Sequence, residues 1–172
     1  MKKLATLITA GMACLAAWSA ARANPGFAGE WVTEPDLSSA LDPFSRIELN
    51  IAVDGTEIHI EETYTTGRRR NTNAFTLDTA VDVNVVPIDW WADNRHIGAF
   101  IGGDKTVSIR ADWVDNGETL RLQSDFILQT SQGETPVRSY TEYRLSRDGE
   151  RLTRIDLRSS RNLPVVRVFK RR

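Results

Sequence analysis

From Arg46 to Val53 the chain alternates without a break: Ile47, Leu49, Ile51 and Val53 fall on one phase, Arg46, Glu48, Asn50 and Ala52 on the other. Successive side chains of a strand point to opposite faces, so this period of two marks a strand with one face buried and one in water. After Asp54-Gly55 the alternation resumes, with Ile58, Ile60 and Tyr64 inward and Glu57, His59, Glu61 and Thr63 outward. Glu62 falls on the inward phase. Two further turns of the same kind, Asn116-Gly117 and Asp148-Gly149, also separate alternating runs. Asp-Gly and Asn-Gly tolerate the positive φ of tight hairpins, so the repetition predicts an antiparallel meander.

The remaining runs extend that reading. Gly29 to Val32 opens the folded part, and Glu34 to Phe44, with Pro35 and Pro43, has loop composition and room for one helical turn. Arg68 to Leu77 is a weaker strand whose inward phase carries Asn71 and Asn73 before Phe75 and Leu77. Val81, Val83 and Val85 form an alternating set ended by Pro87. Val107 to Trp113, Leu120 to Leu128 and Val137 to Leu145 are further strands, and Val165 to Phe169 closes the chain. Between Leu152 and Ile155 the phase slips, which predicts a bulge near Thr153. Residues 88–105 break the rhythm, with Trp90-Trp91, His96 and a short run from Ile97 to Ile101. The fold class is all-β, an up-and-down meander of about 8–10 strands closing into a barrel, which removes the exposed sheet edges. A barrel of that size is wide enough to leave room for a small ligand.

Gly29-Glu30-Trp31 resembles the Gly-x-Trp that opens lipocalin-type barrels, and the stretch from Glu142 to Thr153 is similar to the closing hairpin of exported bacterial proteins with lipocalin-like domains. The resemblance implies a calycin-type barrel, Trp31 plugging one end of it, and a small apolar or amphipathic ligand.

Lys2 and Lys3, the apolar stretch Leu4 to Trp18 and the small-x-small site Ala21-Arg22-Ala23 form a secretory signal. Residues 1–23 are expected to be cleaved, leaving residues 24–172 as a single domain in the periplasm or outside the cell. The alternative is a lipid-anchored envelope protein processed at Cys14, the only cysteine, which stands after the small Ala13. Either way the body of the protein has no disulfide, thiolate ligand or cysteine nucleophile. The 22 Lys and Arg of the whole chain lose Lys2, Lys3 and Arg22 with the signal, leaving 19 against 23 acids, net −4. That balance argues against nucleic acid as the main partner, and no later stretch is apolar enough to span a membrane.

The candidate chemistry is sparse. No Gly-x-Ser-x-Gly elbow or phosphate loop occurs, and two histidines without cysteine make a poor zinc site, so neither metal nor cofactor is expected. Glu61 and Glu62 are adjacent, hence on opposite faces, and cannot act as a carboxylate pair. An inward carboxylate is costly unless hydrogen-bonded, and inward Asn71, Asn73, Ser124, Ser139 and Thr141 offer partners. The candidate ligand-binding residues are Glu62, Tyr64, Asn73, Trp90, Trp91, His96, Trp113, Ser124 and Tyr143, with Trp90-Trp91 as a flap over the mouth. The reading that follows is an exported small-molecule-binding barrel. The alternatives are an envelope structural or interaction protein with a filled barrel, and a small enzyme using an inward carboxylate or His96.

Overall fold

The structure, a computed structural model, describes residues 23–39, 43–90, 92 and 100–172. The strands are β1 (Gly29–Thr33), β2 (Arg46–Asp54), β3 (Glu57–Thr66), β4 (Arg69–Asp78), β5 (Asn84–Pro87), β6 (Phe100–Ile101), β7 (Thr106–Val114), β8 (Thr119–Thr130), β9 (Gly133–Leu145), β10 (Arg151–Arg158) and β11 (Val165–Arg171). They form one antiparallel sheet in the order β4-β3-β2-β1-β11-β10-β9-β8-β7-β5, with β6 added to β8. From β1 to β4 and from β7 to β11 each strand pairs with its chain neighbour, β5 pairs with β7, and the first strand pairs with the last, Trp31 opposite Arg171. This is a lipocalin-like barrel, closed everywhere except between β4 and β5.

That seam has no ladder, and side chains stitch it instead. Asn84 Oδ1 accepts from the Asp78 amide at 2.8 Å, while its Nδ2 donates to the Asp78 carbonyl at 3.1 Å and to the Ile109 carbonyl at 3.3 Å. One amide thus does for β4, β5 and β7 what a ladder rung would do. Further along the seam, Asn73 Nδ2 donates to the Trp90 carbonyl at 3.1 Å.

The alternating runs meet in the interior as their phases require. Ile47, Leu49 and Ile51 of β2 face Ile58 and Ile60 of β3, all buried, and Val107, Ile109 and Ala111 of β7 face Leu120 and Leu122 of β8. Fully burying one such aliphatic side chain contributes about 1.5–3 kcal/mol. The β7 to β8 turn holds Asp115, Asn116 and Gly117 all at positive φ. Among the described residues, the loop after β1 holds one 3-10 turn, Pro35–Leu37.

Three expectations are corrected. First, β10 has no bulge: it pairs residue for residue with β9 and β11 from Leu152 to Asp156. Its inward phase is Leu152, Arg154, Asp156 and Arg158, while Ile155 and Leu157 face outward. The apparent slip arose because charges occupy core positions, where they satisfy one another. Second, Val81, Val83 and Val85 are exposed, and the short β5 turns Val86 inward. Its phase is set by Asn84, whose amide must reach the seam. Third, Asn71 is exposed rather than inward, because β4 has reached the rim there.

Candidate functional site

The two ends of the barrel are built differently. At one end Trp31 is buried and its indole Nε1 donates to the Phe27 carbonyl at 3.0 Å. The Arg171 guanidinium lies 4.1 Å from the Trp31 ring centroid, a cation–π distance. The same guanidinium donates to the carbonyls of Gly26, Ala28 and Gly149 at 2.6, 2.8 and 2.9 Å. A Cβ on Gly29 would stand 2.5 Å from Arg171 Nη1, so only glycine fits there. Phe27 meets Trp113 edge-on at 4.9 Å. This end is a packed plug, in agreement with the resemblance, and it holds Trp113 away from the cavity walls.

Above the plug lies a buried ionic network. Glu62 Oε1 accepts from Arg154 Nη1 at 2.6 Å and from the Tyr143 hydroxyl at 2.9 Å, and Oε2 accepts from the Tyr64 hydroxyl at 2.6 Å. Asp156 Oδ1 accepts from Arg154 Nε at 2.9 Å and Thr141 Oγ1 at 2.8 Å, and Oδ2 from Arg167 Nη1 at 3.1 Å. Arg158 stands 3.8 Å from the same Oδ2. All of these side chains are buried. Burial works to raise the Asp156 pKa, but Arg154, Arg158 and Arg167 outweigh it and bring it down to about 2. Burial pushes both phenols upward, Tyr64 with help from the Glu62 charge, so they remain neutral donors. Burial also opposes the charge on Arg154, and the carboxylates of Asp156 and Glu62 more than offset it. With three donors on its two oxygens, Glu62 is held as a structural acceptor. That engagement leaves little of the exposed lone pair a general base needs.

Beside this network is a cavity of about 60 Å³. Its apolar wall is Phe75, Ile88, Trp90, Val107, Ile109 and Leu122, and its polar wall includes Glu62, Tyr64, Ser124, Ser139, Thr141 and Tyr143. Arg154, Arg158 and Asn73 complete the polar side. The Trp90 ring packs edge-on against Tyr64 at 5.4 Å and Phe44 at 6.1 Å, closing the cavity on the side of the seam. A water needs roughly 10–15 Å³ of such space, so there is room for about four to six water-sized atoms. The roomy interior that the strand count suggests is therefore mostly filled by the network.

Of the sequence candidates, Glu62, Tyr64, Asn73, Trp90, Ser124 and Tyr143 come together around the cavity. Trp113 belongs to the plug, and Trp91 and His96 lie outside the described residues. Sequence reasoning missed Arg154, Asp156, Arg158 and Arg167. The signal was present in Arg154-Ile155-Asp156-Leu157-Arg158, where charges of alternating sign recur at every second residue in phase with Leu152. Among the described residues, no group of three or more His, Cys, Asp or Glu could hold a metal ion, and no helix is long and apolar enough to cross a membrane.

No known protein family matches the sequence, and no curated protein does. Among solved structures, the chain is similar to a secretory abundant heat soluble (SAHS) protein from Ramazzottius varieornatus. The TM-score is 0.52 at 10% identity, covering 87% of this chain and 97% of that one. SAHS protein 4 from the same organism gives a TM-score of 0.49 at 9% identity with the same coverage. At such identity the first likeness speaks for the fold alone.

Proposed function

We propose that this chain is an exported lipocalin-like binding protein that holds one small amphipathic molecule inside its barrel. The observation that carries the reading is the cavity itself, an apolar wall with Trp90 facing a polar wall of hydroxyls. Ligand sites are concave, largely apolar and furnished with a few convergent polar groups, and this one has that composition. Its volume, far below the roughly 300 Å³ of an ordinary small-molecule site, restricts the ligand to a few heavy atoms and excludes a long lipid tail in this conformation. Tyr64, Asn73, Trp90, Ser124 and Tyr143 are the contacts we assign to it, with Glu62 acting through the two phenols.

Export rests on the residues of the amino-terminal signal. Cleavage after Ala23 would leave Asn24 first, and Asn24 has work in the fold: its side chain accepts from the Gly26 amide at 2.9 Å and donates to the Gly117 carbonyl at 3.0 Å. Amino-terminal sequencing of the mature protein is expected to begin at Asn24, whereas a lipidated Cys14 would establish the anchored alternative.

The binding reading is tested by titrating the purified protein with low-mass fractions of its own envelope extract and following methyl NMR signals. A saturable shift confined to Val107, Ile109 and Leu122, and abolished by Ile109→Trp, is expected. If no fraction moves those methyls, the reading falls. A second reading, an envelope structural or interaction protein with a filled barrel, then takes its place. The paired charges occupying the interior favour it, as do the exposed Val81, Val83 and Val85 near the sheet edge.

A further inference from the structure

Within the cavity the polar groups divide into two sets. Along the inward phase of β9, Tyr143 donates to Glu62 and Thr141 donates to Asp156. The next inward residue is Ser139, only 3% exposed, directly opposite Ser124 of β8. Both serines line the cavity, and among the described residues no side chain takes up either hydroxyl. Ser139 is buried and Ser124 half-buried; buried hydroxyls are ordinarily hydrogen-bonded, so the pair is available to something that enters the cavity.

The neighbouring guanidinium charges already face carboxylates, although among the described residues the buried Arg167 Nε makes no hydrogen bond of its own. Arg154 serves Glu62 and Asp156, Arg167 serves Asp156, and Arg158 lies against Asp156 and is otherwise engaged. An ionised ligand would leave water for a site whose opposite charges are spoken for, a costly transfer. A neutral one loses only the hydration of a single polar group, which two hydroxyls restore, since each can donate and accept. Opposite them, Val107, Ile109, Leu122 and Trp90 offer apolar contact to the rest of the molecule.

Building on the binding reading, we propose that Ser124 and Ser139 recognise the hydroxyl or carbonyl oxygen of an uncharged molecule of about five heavy atoms, and that the arginines do not read the ligand. The experiment compares n-butanol with propionate, which match in heavy-atom count and differ in charge, by methyl NMR on the whole mature chain. Saturable millimolar binding of n-butanol at Val107, Ile109 and Leu122 is expected, with no such shift from propionate. Replacing both Ser124→Ala and Ser139→Ala should weaken n-butanol about tenfold, the worth of one net hydrogen bond, without lowering the melting temperature, because the hydroxyls hold nothing in the fold. Propionate binding in place of n-butanol overturns the inference and leaves the binding reading standing. So does n-butanol binding that ignores the serine changes. No response to either probe also overturns it, and the envelope fractions then decide the broader reading separately.

Discussion

The plug and the ionic network each set an arginine against an aromatic ring, half-buried in the first and buried in the second, and they accommodate it in different ways. Arg171 at the plug is satisfied by three backbone carbonyls and the face of Trp31, partners that the fold supplies with no second charge. Arg154 is satisfied by two carboxylates, which need Tyr64, Tyr143, Thr141 and Arg167 in turn. The plug therefore has no second buried charge to strand, whereas the network fails as a unit. The cavity sits beside the network because a ring of mutually oriented charges cannot close up around a missing atom as aliphatic side chains can.

The contrast is sharpest in Arg154→Met, which leaves Glu62 and Asp156 buried without their shared cation. Stability is expected to fall by about 3–5 kcal/mol in a urea titration. A loss below about 1 kcal/mol would mean that water already screens the network and that it resembles the plug after all.

Next in size is the acid limb. Asp156 titrates at about 2 in the folded chain, against about 3.9 when unfolded. A depressed carboxylate contributes stability that is complete above the unfolded value and is lost as pH falls through the folded one. The loss should amount to about 2–3 kcal/mol between roughly pH 5 and pH 1. Asp156→Asn is expected to flatten that stretch of the stability–pH curve, at the cost of a lower plateau at neutral pH.

At the plug, Trp31→Phe keeps most of the ring under Arg171 and removes only the bond to the Phe27 carbonyl. The expected cost is about 1–2 kcal/mol, with cavity binding unchanged. A change in n-butanol affinity would show that the two regions are coupled.

The smallest effect tests the phase of β10. Leu157 is 47% exposed and faces outward, so Leu157→Ser should stay within about 0.5 kcal/mol. A loss of 2 kcal/mol or more would restore the bulge and return Leu157 to the core.

How far the sequence carried the account depends on what filled the inward positions. Where they were apolar, as in Ile47, Leu49, Ile58, Val107 and Leu122, the period of two specified strand, face and turn together, since burying an aliphatic side chain is favourable whatever neighbour it meets. Asp54-Gly55 and Asn116-Gly117 did the same for the hairpins through backbone sterics alone. Gly29-Glu30-Trp31 even located the plug. Arg154, Asp156 and Arg167 could not be read that way. A charge is admissible in a core only if its partners arrive from other strands at hydrogen-bond distance, and Glu62 meets Arg154 across 92 residues of chain. The same holds for Ser139, whose hydroxyl becomes informative only once its neighbours are seen to be taken. Local alternation thus determined the barrel, and long-range pairing of charges decided what its interior can hold.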